Sequence, residues 1–176
     1  MAANTNQVQR TPRVVEAQDS VTRPADTTQY TEGDAISDNA TTATAAGAFT
    51  LDLLVQAGGS ARITDITLHK SDHDVTTATF WLLLFTTLPA VAGWEDNAAL
   101  AITDAEMLEC KAVITFPAAS FANVITGDVQ TVTLNSPIGI VCASGSSTIY
   151  GILVAGAAYT PASGEVFTVT VKAVQD

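Results

Sequence analysis

Short segments in which apolar and polar residues alternate, each closed by a cluster of Gly, Pro, Asn or Ser, recur along most of this chain. Alternation with period two marks a strand with one buried face, and many such strands at short spacing point to two packed antiparallel sheets. Phe49-Thr50-Leu51-Asp52-Leu53-Leu54-Val55 alternates and is turned by Gln56–Ser60. Ala61–Lys70 alternates again, but Ile63 and Ile66 fall out of phase, which predicts a bulge. Lys111–Phe116, Val129–Asn135, Ile138–Cys142, Ser147–Val154 and Val166–Val174 read as further strands, and Gln29–Ile36 as a turn entering a short one. Ser37–Gly47, mostly Ala and Thr, reads as an exposed loop or extended connection. The most hydrophobic segment, Phe80-Trp81-Leu82-Leu83-Leu84-Phe85, is apolar on both faces. Such a strand is either central in a sandwich or covered on its outer face by a partner.

One helix is expected, over Asn97–Ala112, with Thr103 as its cap and Asp104 and Glu106 in the first turn. Eight or nine short strands and one short helix predict an all-β fold: an antiparallel β-sandwich, jelly-roll-like, carrying an extended N-terminal arm. The sandwich is assigned to residues 25–176 and the arm to residues 1–24, closed by Arg23-Pro24.

The arm has no aromatic residue and almost no apolar periodicity, so it does not fold alone. Ordering it costs at least about 24 kcal/mol of backbone entropy, which apolar burial alone would offset only with on the order of 1,000 Å². It is therefore expected to lie on a surface, its own or a partner's, and fully extended it reaches about 80 Å. Charge separates it from the rest. Residues 1–23 hold Arg10, Arg13 and Arg23 against Glu16 and Asp19, a net of +1, while the remainder has four basic and sixteen acidic residues, a net of −12. A mildly basic arm is attracted to an acidic body. Arg10, Arg13, Val14, Val15 and Arg23 are its candidate partner-binding residues.

An acidic body argues against nucleic-acid binding and against an anionic membrane surface, and no apolar run approaches a membrane span. Met1 is followed by polar residues rather than a signal sequence, so synthesis in a cytoplasm is expected. Cys110 and Cys142 stand in apolar surroundings and are expected as free thiols.

Catalytic signals are weak. His69 and His73 flank a polar turn without zinc-ligand spacing, and Asp72 and Asp74 offer at most a calcium site. Ser144 is not in a nucleophile elbow, and Gly58-Gly59-Ser60 lacks the lysine of a phosphate loop. The carboxylate pairs Glu95/Asp96 and Glu106/Glu109 read as solvated faces of an acidic chain. Trp81 is expected in the core. Trp94, in a Pro/Gly loop, is a candidate surface contact, either for a protein partner or for a sugar. No cofactor is indicated, and a rigid docking module fits better than an enzyme.

The stretch from Arg23 through Pro24, Asp26, Thr27, Tyr30, Gly33 and Asp34 to Ile36 resembles the opening of a group of small structural proteins of tailed bacteriophages and prophages. There a Pro-x-Asp-Thr-x-x-Tyr-x-x-Gly-Asp-x-Ile-like stretch precedes a sandwich. Ile66–Ser71, Phe80–Phe85, Pro89 and Asp96–Leu100 are also similar, so the resemblance covers about residues 21–116. It implies a virion protein of the head decoration, or cement, type: a trimer on the capsid exterior, bracing the major capsid protein, with no catalytic residues. A tail- or baseplate-associated carbohydrate-binding module, using Trp94 and the loop around His73, is the alternative.

Overall fold

The computed structural model describes residues 12–42, 44–54, 57–72, 78–90, 93–124 and 127–175. In chain order the strands are β1 (Arg13–Thr22), β2 (Ala35–Ile36), β3 (Phe49–Asp52), β4 (Ser60–Lys70) and β5 (Phe80–Phe85). The helix α1 (Asp104–Met107) follows, then β6 (Cys110–Phe116), β7 (Ala122–Val124), β8 (Gly127–Val141), β9 (Thr148–Ala155) and β10 (Val166–Gln175). One sheet runs β1-β10-β4-β8-β7 and the other β2-β9-β5-β6, with β3 continuing along the same side of β9 as β2. All these pairings are antiparallel. The last strand, β10, lies between β1 and β4, and β9 lies between β2/β3 and β5. This interleaving is the double Greek key of a jelly roll. Antiparallel all-β architecture is as expected.

The N-terminal boundary differs from the expectation. Residues 13–22 are not an arm outside the sandwich but its edge strand, in register with β10 from Arg13↔Gln175 to Thr22↔Val166. Val15 and Ala17 pack against the main core and Val21 is fully inside it, while Val14, Glu16, Gln18 and Ser20 face solvent. An edge strand needs only this one thin apolar stripe. Asp19 interrupts the stripe and hides it in the sequence: its carboxylate reaches across to accept the N–H of Thr50 on β3 at 2.6 Å. The strand edge of the opposite sheet is thereby satisfied by an inward-pointing charge, a device that also discourages edge-to-edge aggregation.

Two other boundaries move for identifiable reasons. The expected bulge is present at Thr64, which both neighbouring strands skip. Opposite it, Asp65 pairs with Thr133 but Ile63 pairs with Ile138. The expected strands 129–135 and 138–142 are therefore one strand with its irregularity at 134–137, where Pro137 needs no ladder hydrogen bond. The helix is confined to Asp104–Met107, closed by a capping box in which Thr103 and Glu106 satisfy each other's backbone N–H groups. Residues 97–100 are instead pinned to β2 and the residues just before it: Ala35 N donates to Ala98 O, Asn97 N to Ala35 O, and Leu100 N to Gly33 O.

The two faces of β5 go to two cores. Phe80, Leu82 and Leu84 fill the space between the sheets. Leu83 and Phe85 point outward into a second cluster with Ala35, Ala48, Trp94, Ile152 and Val154, flanked by Trp81, Leu88, Leu100 and Ile102. The strand is thus central, and its outer face is covered by the chain's own Leu88, Trp94, Leu100 and Ile102. That cover removes the Phe80–Phe85 run as a subunit interface. Trp81 is half-buried in this outer cluster rather than inside the main core.

Candidate docking surface and the buried polar lock beneath it

The six residues singled out for partner binding fall in different places. Arg10 lies outside the described residues. Arg13 and Val14 sit together, exposed, at the start of β1, with Val14 at 70% exposure. Val15 turns to the opposite face and packs on the core. Arg23 and Trp94 are corrections: both are buried. Trp94 anchors the second cluster, and its indole Nε1–H donates to Ala90 O at 3.0 Å, so it presents no face to a sugar or a protein. His73, the other element of a sugar-binding surface, lies outside the described residues.

Arg23 is the centre of an internal lock. Its Nε donates to the Tyr30 hydroxyl at 2.9 Å and its terminal nitrogens to Asp26 Oδ1 at 2.9 Å, Asp96 Oδ2 at 3.3 Å and the Ala162 carbonyl at 3.1 Å. Tyr30 donates in turn to Asp96 Oδ1 at 2.5 Å, which also accepts the Ser37 N–H at 3.0 Å. A second buried pair adjoins it. Lys70 Nζ lies 3.4 Å from Glu165 Oε1, and Glu165 accepts from the Tyr159 hydroxyl and, at 3.3 Å, the Ala162 N–H. Tyr159 stacks on Tyr30 with ring centroids 6.1 Å apart. Arg23, Asp96, Lys70 and Glu165 therefore each have an opposite charge and further hydrogen bonds, the condition under which burial is tolerated.

This lock explains the residues that carried the family resemblance. Asp26 holds Arg23 and accepts the Thr28 N–H at 2.9 Å. Asp34 accepts the Thr31 N–H at 2.6 Å, and Gly33 turns with φ +95°. Asp96–Leu100 supplies the other side. The two separated stretches are one structural unit that ties β1 to the loop covering β5.

Three of the four carboxylates considered for catalysis are engaged in the same way. Asp96 belongs to the lock. Glu106 is held by Thr103 and by the Ala90 N–H, and Glu109 pairs with Lys111 at 3.2 Å. Cys110 and Cys142 are free, and burial pushes both thiols up, which makes them poor nucleophiles. No group of three metal-ligating side chains occurs among the described residues, and no helix is long and apolar enough to cross a membrane.

The pH dependence of stability follows from these surroundings. Burial pushes the carboxyls of Asp96 and Glu165 above their ordinary values. A carboxyl raised by folding binds its proton more tightly in the native chain, so its contribution is full below the unfolded value and is lost as pH rises through the folded one. Asp26, held low by the Thr28 N–H and then by Arg23, and Glu106, held low by the Thr103 hydroxyl, act in the opposite sense. Their contribution is present above the ordinary value and lost as pH falls through the folded one. The melting temperature is therefore expected not to fall between neutral pH and about pH 5, and to fall only below the ordinary carboxylate range. Glu165→Gln should reduce the slope on the neutral side. Melting curves of both proteins across pH check this, and a steep wild-type loss between neutral pH and about pH 5 would contradict it.

The sequence did not point to the exposed apolar residues at the other edge of the molecule. Leu108 is 80% exposed and Val113 55%, with Met107 partly exposed beside them. Val113 occupies the outward phase of β6, flanked on that face by Lys111 and Thr115. Only the alternation Lys111-Ala112-Val113-Ile114-Thr115 carried that signal, because a helix was expected to end at Ala112.

No family model matches the chain, and neither does any curated protein. Among solved structures it is similar to a chain of the full particle of Israeli acute paralysis virus, at 12% identity and TM-score 0.34, covering 99% of this chain and 80% of that one. It is also similar to a chain of Desmodium yellow mottle tymovirus, at 11% identity and TM-score 0.28, covering 96% and 89%. At these scores the likenesses carry no weight. The jelly roll rests on the chain's own strand order.

Proposed function

We propose that the protein is a non-enzymatic structural component of a virion, and specifically a tailed-phage head decoration, or cement, protein that binds the major capsid protein on the capsid exterior. The observation that carries this reading is the free edge of β1. Among the described residues β1 is paired only with β10, and it leads from a mildly basic N-terminal segment bearing Arg10 and Arg13. An unpaired strand edge preceded by further chain is the arrangement used when one protein adds backbone hydrogen bonds to another. Repetition of a weak contact over a symmetric lattice raises its strength through effective concentration.

Three features support the reading. Jelly rolls recur in capsid and lectin domains, a fold-level analogy only. The buried ionic groups described above are tied into internal pairs rather than aimed into a cleft. Arg23, Asp26, Tyr30 and Asp96, in the stretches that resemble phage structural proteins, build the lock that fixes β1. Against the carbohydrate-binding alternative stands the burial of Trp94.

Electron microscopy of phage heads mixed with the protein tests the assignment. The expected result is regular density on the outer surface at the contacts between capsid subunits. Density confined to the neck or tail, or a glycan-array response from the isolated protein, would overturn it.

A further inference from the structure

We propose that β1 is a hinged strand: from Asp19 onward it is clamped to the sandwich, and residues 13–18 swing off β10 as a unit while the rest stays folded. This inference concerns the protein alone and stands without the capsid reading.

The two parts of β1 are held unequally. Its inward-facing positions grow more buried along the strand. Val15 and Ala17 are half-buried against the main core, whereas Val21 and then Arg23 are enclosed, at 1% and 2% exposure. Strong anchors hold the second part. Asp19 Oδ2 accepts the Thr50 N–H of β3, in the opposite sheet, at 2.6 Å, and Asp19 Oδ1 accepts the Ser20 N–H at 2.8 Å. The Ser20 hydroxyl lies 2.8 Å from that of Thr168. Arg23 N donates to Glu165 O at 3.0 Å, and the Arg23 side chain enters the buried lock. On the first part the side-chain links are exposed ones: Glu16 with Lys172 at 3.7 Å, and Gln18 Nε2 with Thr170 Oγ1 at 3.1 Å. Water competes for both, so they add little to the backbone ladder.

β10 is held in place without this half of β1. Gln175 Nε2 donates to Leu53 O at 2.8 Å, and Ala173, Val174 and Gln175 pair with Ile63, Arg62 and Ala61 on β4. A segment with few buried contacts, beside a strand that is fixed from elsewhere, opens locally without global unfolding. Asp19 is the hinge, because its carboxylate ties β1 across to β3. Opening uncovers the contacts of Val15 and Ala17 and passes the unpaired edge of the sheet from β1 to residues 170–175 of β10.

Hydrogen exchange resolved residue by residue with NMR tests the hinge. The β10-bonded amides of residues 13–18 and the β1-bonded amides of residues 170–175 should exchange in step, at least about tenfold faster than the ladder amides of residues 20–22. Asp19→Ala removes the acceptor for Thr50 and should carry the fast exchange on to Ser20, short of Arg23. Equal protection along β1 would overturn the proposal. So would a smooth decline in rate from residue 13, which is end fraying, or a slow–fast boundary that Asp19→Ala leaves unmoved. If Asp19→Ala loses its cooperative melt, Asp19→Asn, a weaker acceptor of the same size, replaces it with the same outcomes.

Discussion

A chain lacking residues 2–12 should melt as cooperatively as the full-length protein, whereas one lacking residues 2–24 should not. The second truncation removes all ten residues of β1 and with them the cover that Val15, Ala17 and Val21 give the main core. It strips β10 of its outer hydrogen-bonding partner. It also removes Arg23 and leaves Asp96 buried without its countercharge. Loss of one member of a buried pair alone costs about 3–5 kcal/mol, a large part of the roughly 5–15 kcal/mol by which domains are stable. With the lost strand added, the truncated chain is expected to be unfolded or molten at room temperature. Circular dichroism and a thermal scan of the two truncations distinguish the outcomes. A cooperative melt for the chain lacking residues 2–24 would mean that β1 is dispensable and that the sandwich starts after Pro24.

Arg23→Met isolates the lock from the strand. The methionine keeps most of the apolar volume but leaves the Asp96 carboxylate with only Tyr30 and Ser37. About 3–5 kcal/mol of stability should be lost. At about 2–4 °C per kcal/mol for a domain of this size, the melting temperature should drop by about 6–20 °C. Arg23→Met combined with Asp96→Asn should recover part of that loss, because no uncompensated charge remains. Lys172→Met is the control. Lys172 and Glu16 pair at 3.7 Å with both side chains more than half exposed, so its removal should cost no more than about 1 kcal/mol. Equal losses for Arg23→Met and Lys172→Met in thermal denaturation would show that the Arg23 network is not a lock.

The elements legible in the sequence are those whose local pattern and tertiary packing agree. β4, with its out-of-phase Ile63 and Ile66, declared both its strand and its bulge. β10 showed its period-two pattern, and Thr103 announced the helix start. β1 escaped notice because an edge strand carries a single stripe of small side chains and Asp19 breaks that stripe to serve the opposite sheet. β8 read as two strands because Pro137 punctuates a ladder that continues past it.

The site was less legible than the fold, for a different reason. Arg23 and Asp96 are separated by 73 positions, and a pair that distant leaves no periodic trace. Arg23 therefore resembled the arm's other arginines, and Asp96 resembled a solvated neighbour of Glu95. The two-sided run Phe80–Phe85 admitted two covers, the chain itself or a partner. The residues that decide it, Leu88, Trp94, Leu100 and Ile102, are scattered through a loop with no repeat. A tryptophan in a Pro/Gly loop looked like a surface contact because nothing local shows the sheet that lies under it. Of the candidate surface, Arg13 and Val14 are the residues that stand exposed.

The docking role of the N-terminal segment is tested most directly by the binding of the chain lacking residues 2–12 to phage heads, measured by co-sedimentation beside the full-length protein. The lock and β1 remain in this truncation, so the sandwich should be unchanged. The expected result is a loss of binding of at least tenfold, about 1.4 kcal/mol or more. Binding of equal affinity by the two proteins would contradict the account.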